Sequence, residues 1–188
     1  MDVYTHGRFQ PFHKGHLAFI LYLLEKYDTL YIGLGNPLRR LPNNYDTYPD
    51  DLKKSLAHAR AKENNPFSYL EREQIILESL KQEGIDLARV KILPHFGTYE
   101  EENWFELFPP KENTVVAIPA KDEHHFVKLK VYEQFGYKTE IVPQFTTGVS
   151  GTKVKDSIYA GTEEWKEMVP KGAIPLIEKW IKNRKIKE

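Results

Sequence analysis

The chain has 188 residues with 27 basic and 27 acidic side chains, so its formal charge is zero; this argues against a surface built throughout to hold nucleic acid. A hydrophobic content of 40% and an aromatic content of 13% are ample for a core, and the length points to one domain over 1–188. There is no cysteine, which removes disulfides and thiolate metal sites. The start MDVYTHG lacks a basic stretch followed by an apolar run, and no segment is long enough to cross a bilayer, so the expectation is a cytoplasmic protein without a membrane partner.

In chain order, VYT (Val3 to Thr5) reads as a buried strand ending near Gly7. HKGHLAFILYLLEKY reads as a helix that is apolar almost all round, and TLYIGLG (Thr29 to Gly35) as a second strand. Strand, helix and strand with short joins make a βαβ unit with a right-handed parallel crossover. From Asn36 to about Asn64 the chain turns rich in Pro, Asn, Tyr, Asp and Lys, with only LKKSLAHARAK looking helical. This reads as an insertion or a long active-site loop.

A helix resumes at Ser68, a good N-cap with Glu71 three residues on, and stops at Gly84. ARVKILP and NTVVAIP are further strands, EHHFVKLKVYEQFG is a helix closed by Gly136, and YKTEIVP is a fifth strand. The rest, about 150–188, is helical and ends in the basic amphipathic IPLIEKWIKNRKIKE. The alternation predicts an α/β fold: a Rossmann-like parallel sheet of about five strands with helices on both faces. Such sheets bind ligands where strands end and helices begin.

GRFQPFHKGH (Gly7 to His16) forms the turn from the first strand into the first helix, where unsatisfied N–H groups and the helix dipole favour anions. Gly7 lets the backbone approach a ligand and Pro11 stiffens the turn. His13 and His16 share a face at i, i+3, while Lys14 points elsewhere. Arg8, His13, Lys14 and His16 all donate hydrogen bonds and none is an obvious nucleophile. That set suits holding phosphates and stabilising charge that develops on them. Two histidines at this spacing also occur as surface decoration or as half of a metal site, which would want a third ligand. The glycine, the arginine and the strand-to-helix context favour phosphate.

TTGVSGTKVKDSI (Thr146 to Ile158) offers Ser150 and Thr152 hydroxyls, a flexible Gly151, and Lys153 and Lys155 at the start of another helix. This is either a second anion cradle or simply a well-capped helix. It is no Walker A loop, because the long glycine-to-glycine-lysine spacing is absent.

Together, GRFQPFHKGH and SGTKVK resemble the nucleotidylyltransferase superfamily, marked by G-x-F-x-P-x-H-x-G-H and a later Ser/Thr-rich motif ending in a base. Within it the chain is most similar to the archaeal-type nicotinamide-mononucleotide (NMN) adenylyltransferases, a likeness extending to NPFSYLERE and GTEEWKEMVPKGAIPLIEKW. The resemblance implies transfer of the adenylyl group from ATP to NMN, giving NAD and pyrophosphate, with Mg2+ accompanying the triphosphate. It implies catalytic roles for His13, His16 and Arg8. It places Gly7, Phe9, Gln10, Lys14, Gly15, Arg72, Ser150, Gly151, Thr152 and Lys155 around the nucleotide, and Trp104 on the nicotinamide ring. For Trp104, a packing role in the core is an equal alternative. The metal's ligands stay unassigned; Asp46, Asp50 and Asp51 read more simply as a solvated loop. Members often form symmetric oligomers, which leaves a homo-oligomer open.

Three departures stand out. Lys155 replaces the family's usual arginine, keeping charge but losing the bidentate fork. Glu101 stands where an asparagine precedes the tryptophan by three residues. AIPAKDEHHF replaces a Ser-Gly-Asn-Pro stretch, and about two dozen extra residues precede Asn65. The alternatives are a nucleotidylyltransferase using CTP or another phosphate or phosphonate acceptor, or a nucleotide sensor without turnover. The basic tail KWIKNRKIKE reads as a solvated helix face rather than a nucleic-acid contact.

Overall fold

The computed structural model describes residues 1–38, 41, 45–96, 106–119, 123–143, 145 and 147–185. Its strands are β1 (Asp2–Gly7), β2 (Leu30–Gly35), β3 (Val90–His95), β4 (Thr114–Pro119) and β5 (Lys138–Val142). All pair in parallel in the order β3-β2-β1-β4-β5. The chain winds outward from β1 to β3 and then returns to the other side of β1. That places the topological switch point between β1 and β4, where such sheets hold ligands beyond the carboxyl ends of their strands.

The helices are α1 (Lys14–Lys26), α2 (Asp50–Arg60), α3 (Tyr69–Gln82), α4 (Glu123–Gln134), α5 (Gly151–Tyr159), α6 (Trp165–Met168) and α7 (Ile174–Lys185). Strand side chains alternate between faces, so neighbours Val3 and Tyr4 enter different cores. Val3, Leu30, Ile32 and Leu34 pack with α1, α3, α5 and α7. Tyr4, Val116 and Ile118 pack on the opposite face with Leu129 and Tyr132 of α4. The second core is aromatic and holds His95 fully buried, its Nδ1 2.9 Å from the Tyr4 hydroxyl. Burial lowers His95 to a pKa of about 3, with Lys128 adding to the effect.

α3 begins as its sequence dictates. The Glu71 N–H donates to Ser68 Oγ at 3.3 Å and the Ser68 N–H donates to Glu71 Oε2 at 2.7 Å, closing a capping box worth about 1 kcal/mol. Gly84, at φ +76°, ends it. The basic C-terminal helix is no bare solvated face. Trp180 packs on Phe67 at 4.5 Å between ring centroids, and Arg184 lies over Trp180 while donating to the Pro66 carbonyl at 3.2 Å. α7 thereby braces the segment that leads into α3.

The stretch between β2 and α3 is more ordered than a loop reading expects. It carries α2 and two 3-10 turns, Tyr45–Thr47 and Lys62–Asn64. The helical pattern of Leu52 to Lys62 is weak because the helix has little apolar face, and Arg60 is its one buried residue. α2 is held instead by its carboxyl end, where the Ala59 carbonyl accepts from Asn36 Nδ2 at 2.8 Å and from Asn65 Nδ2 at 2.7 Å.

Candidate active site

A cavity of about 420 Å3 opens at the switch point. That volume lies within the usual range for small-ligand sites. Its walls are the β1–α1 turn, the end of β4 at Pro119, the turn from Lys62 to Asn64 at Asn64, and the chain from Phe145 into α5. The two sequence motifs therefore meet across one space. Gly151 makes that meeting possible, because a Cβ there would stand 2.9 Å from the Gln10 carbonyl oxygen.

The mouth of α1 is built from its histidines. His13 is the N-cap and His16 sits three residues on, in a reciprocal arrangement that Ser and Glu make elsewhere. The His16 N–H donates to His13 Nδ1 at 3.4 Å, and the His13 N–H donates to His16 Nδ1 at 3.3 Å. An Nδ1 that accepts carries no proton, so any ring proton sits on Nε2, and both residues line the cavity. The rings stack at 3.6 Å and 21°. Phe9 meets His16 edge-on at 4.9 Å and Phe12 lies against it at 5.7 Å. Three rings thus cage His16, which fixes its donor before any ligand arrives. Phe9 achieves this from a left-handed backbone conformation, φ +49°, a strained state held by its burial.

The mouth of α5 is looser. Ser150 caps the helix by accepting from the Lys153 N–H at 3.2 Å, while Thr152 is exposed at the cavity wall. Lys153 turns away and donates to the Gly148 carbonyl at 2.7 Å. Lys155 reaches across to Asn64 Oδ1 at 3.0 Å. Burial lowers the Lys155 pKa, the nearby Arg8 cation lowers it further, and Asp156 opposes the shift. Burial also lowers Arg8, whose Nη1 donates to the Ala59 carbonyl at 3.3 Å. Two cations therefore face one space, and among the described residues no carboxylate lines it. An anion would relieve that mutual repulsion.

The cavity brings together Arg8, Phe9, Gln10, His13, Gly15, His16, Ser150, Gly151, Thr152 and Lys155. Other expected residues sit elsewhere, for clear reasons. Gly7 does not meet the cavity, because the Phe9 ring fills the space beside it at 3.1 Å from where a Cβ would stand. Lys14 is exposed and lies outside the lining. Arg72 is 1% exposed, and its guanidinium donates to the carbonyls of Arg8 at 2.8 Å and Gly35 at 2.6 Å. It pins the ends of β1 and β2 to α3, and it lies outside the cavity lining. Gln10 lines the cavity, but its amide is paired in both directions with the Phe67 backbone, at 2.8 and 3.0 Å. Trp104 and Glu101 lie outside the described residues.

Sequence reasoning missed Asn64, Pro119, Phe145 and Thr147 as wall residues. Thr147 was within the quoted motif, but Asn64 carried no signal beyond its place just before NPF. Among the described residues no group of His, Cys, Asp and Glu could hold a metal ion.

A parallel sheet of this order, with donors and cations gathered at two helix mouths over its switch point, defines a nucleotide-handling α/β protein. Residues 4–157 match the cytidylyltransferase-like family model, and the chain belongs to that family of nucleotidyltransferases. It is 30% identical to a nicotinamide-nucleotide adenylyltransferase of Ignicoccus hospitalis, over 97% of this chain and 94% of the relative. It is 28% identical to a phosphonoformate cytidylyltransferase of Streptomyces viridochromogenes, over 92% of this chain and 88% of the relative. Among solved structures it resembles a bifunctional NMN adenylyltransferase/ADP ribose pyrophosphatase from Francisella tularensis, with a TM-score of 0.64, 22% identity and 94% of this chain covered. The chain spans 48% of that bifunctional protein.

Proposed function

We propose that this protein transfers the adenylyl group of ATP to NMN, forming NAD and releasing pyrophosphate. The observation that carries the reading is the meeting of the two motifs at one cavity, with His13, His16, Arg8 and Lys155 all in its lining. A phosphate oxygen of NMN attacks the α-phosphorus in line; its new P–O bond forms as the bond to pyrophosphate breaks. No covalent enzyme intermediate is needed, since the work is positioning and charge stabilisation. His13 and His16 donate to phosphate oxygens as charge moves toward the leaving group, while Arg8 and Lys155 hold the β- and γ-phosphates. Ser150 and Thr152 contribute at the α5 mouth, and Mg2+ bound to the triphosphate would offset part of its negative charge. The reading takes the chain as one cytoplasmic domain over 1–188, able to form a homo-oligomer.

A second reading, cytidylyl transfer to a phosphonate or another phosphorylated acceptor, is favoured by the likeness to the phosphonoformate enzyme and by Glu101 where the resemblance expects an asparagine. Pyrophosphate release decides between the two. With MgATP and MgCTP, each with NMN or phosphonoformate, release that requires ATP and NMN is expected. Release only with CTP and a phosphonate selects the second reading, and no release with any pair defeats both.

A further inference from the structure

Lys155 poses a specific problem. A lysine is a point charge on a flexible four-carbon stem, without the planar fork that lets an arginine address two phosphate oxygens at once. A lysine serving an anion site needs something else to aim it. In this chain the partner comes from outside both motifs: Asn64, at the end of the 3-10 turn that follows α2, accepts from Lys155 Nζ at 3.0 Å and itself lines the cavity. Asn64 is fixed in turn. Its Nδ2 donates to the His58 carbonyl at 2.9 Å and its N–H to the Ala61 carbonyl at 3.0 Å. The neighbouring Ala59 carbonyl accepts from Arg8 at 3.3 Å. The negative end of the α2 dipole therefore lies against Arg8, while Lys155 meets the turn that follows the helix.

We propose that Asn64 is the positioning residue for Lys155, so that the segment between β2 and α3 is a working wall of the nucleotide site. The choice of an amide is what makes this effective. Its carbonyl oxygen orients the ammonium without neutralising it, leaving the full charge to attract a triphosphate. A carboxylate at the same place would pair with Lys155 and compete with phosphate. This inference rests on the reading of the cavity as a triphosphate site, and it assigns α2 a role the motifs do not.

Calorimetric titration with MgATP, without acceptor, tests it in the wild type, Asn64→Ala, Asn64→Asp, Lys155→Ala and the double variant Asn64→Ala/Lys155→Ala, with melting temperatures alongside. Asn64→Ala should weaken ATP binding about fivefold, the scale of one net hydrogen bond. Asn64→Asp should weaken it further, and steady-state kcat should change less than KM in both. In the Lys155→Ala background, removing Asn64 should add nothing. Equal affinity in wild type and Asn64→Ala overturns the inference. So does a loss that persists undiminished without Lys155, because Asn64 then acts by another route. A wild type that binds neither ATP nor CTP overturns the triphosphate reading and this inference together, whereas normal wild-type binding with an indifferent Asn64 overturns only the latter.

Discussion

The mouths of α1 and α5 face the same cavity and are assembled on opposite principles. At α1, each histidine uses Nδ1 on the helix and leaves its donor on Nε2, and the rings are stacked and caged. At α5, the polar groups lie on one exposed threonine, a capping serine and a lysine stem that spans to Asn64. A rigid donor favours the state whose charge it was placed for, which in phosphoryl chemistry is the transition state. A lysine cation, a point charge without a directional fork, attracts a triphosphate at any stage. The α1 mouth should therefore act mainly on kcat and the α5 mouth mainly on KM.

The largest effect that could break this contrast is at His16. His16→Ala should lower kcat by about 10²–10³-fold, the usual loss for one preorganised donor. Because the residue also caps α1, it should cost about 1 kcal/mol of stability. A kcat within a few-fold of wild type, measured by pyrophosphate release, would remove α1 from the chemistry.

Arg72 sharpens the comparison from behind the α1 mouth alone, where it bonds the Arg8 and Gly35 carbonyls. Its two closest bonds hold strand ends, so Arg72→Met should destabilise the fold by about 3 kcal/mol, the scale of hydrogen bonds from a charged group. Urea unfolding reads this directly. Affinity of the remaining folded protein for ATP should stay within a few-fold. A stable variant with lost affinity would instead put Arg72 on the phosphates.

Gly151 tests whether the two mouths must touch. Gly151→Ala places a methyl 2.9 Å from the Gln10 carbonyl oxygen, a backbone atom with little room to yield. The cost should be about 1–3 kcal/mol, as in other overpacked sites, together with weaker ATP binding. Unchanged melting and affinity would mean that the two segments can separate freely.

These contrasts also set what the sequence could reveal. The sheet, its helices and the two mouths were legible because their signals are local: apolar runs, Ser68 with Glu71, and histidines three apart beside a strand end. The role of Arg72 was not, because whether a guanidinium meets phosphate or carbonyl depends on where β1 and β2 end relative to α3. The surroundings of Gly7 were illegible for a similar reason, since the Phe9 ring two residues on occupies the space beside it. The α2 helix was legible in LKKSLAHARAK, but its placement and the role of Asn64 were not, because both depend on hydrogen bonds to Lys155, Arg8, Asn36 and Asn65 that leave no periodic trace.

The smallest effect is a pH dependence, and it belongs to α5 alone. Lys155 has a pKa below the ordinary lysine value because burial and Arg8 both disfavour its charged form. Its charge is complete well below that lowered pKa and is lost as pH rises through it, at a lower pH than for an exposed lysine. Triphosphate binding needs the charged form, so kcat/KM for ATP, which reports the free enzyme, should fall along the alkaline limb. The total fall should not exceed the roughly tenfold loss expected for Lys155→Ala, the worth of one bond to a charged group. Lys155→Arg, whose guanidinium stays protonated throughout, should flatten that limb while retaining affinity. A limb that survives in Lys155→Arg would assign the titration to another group and leave the α5 mouth without its distinguishing property.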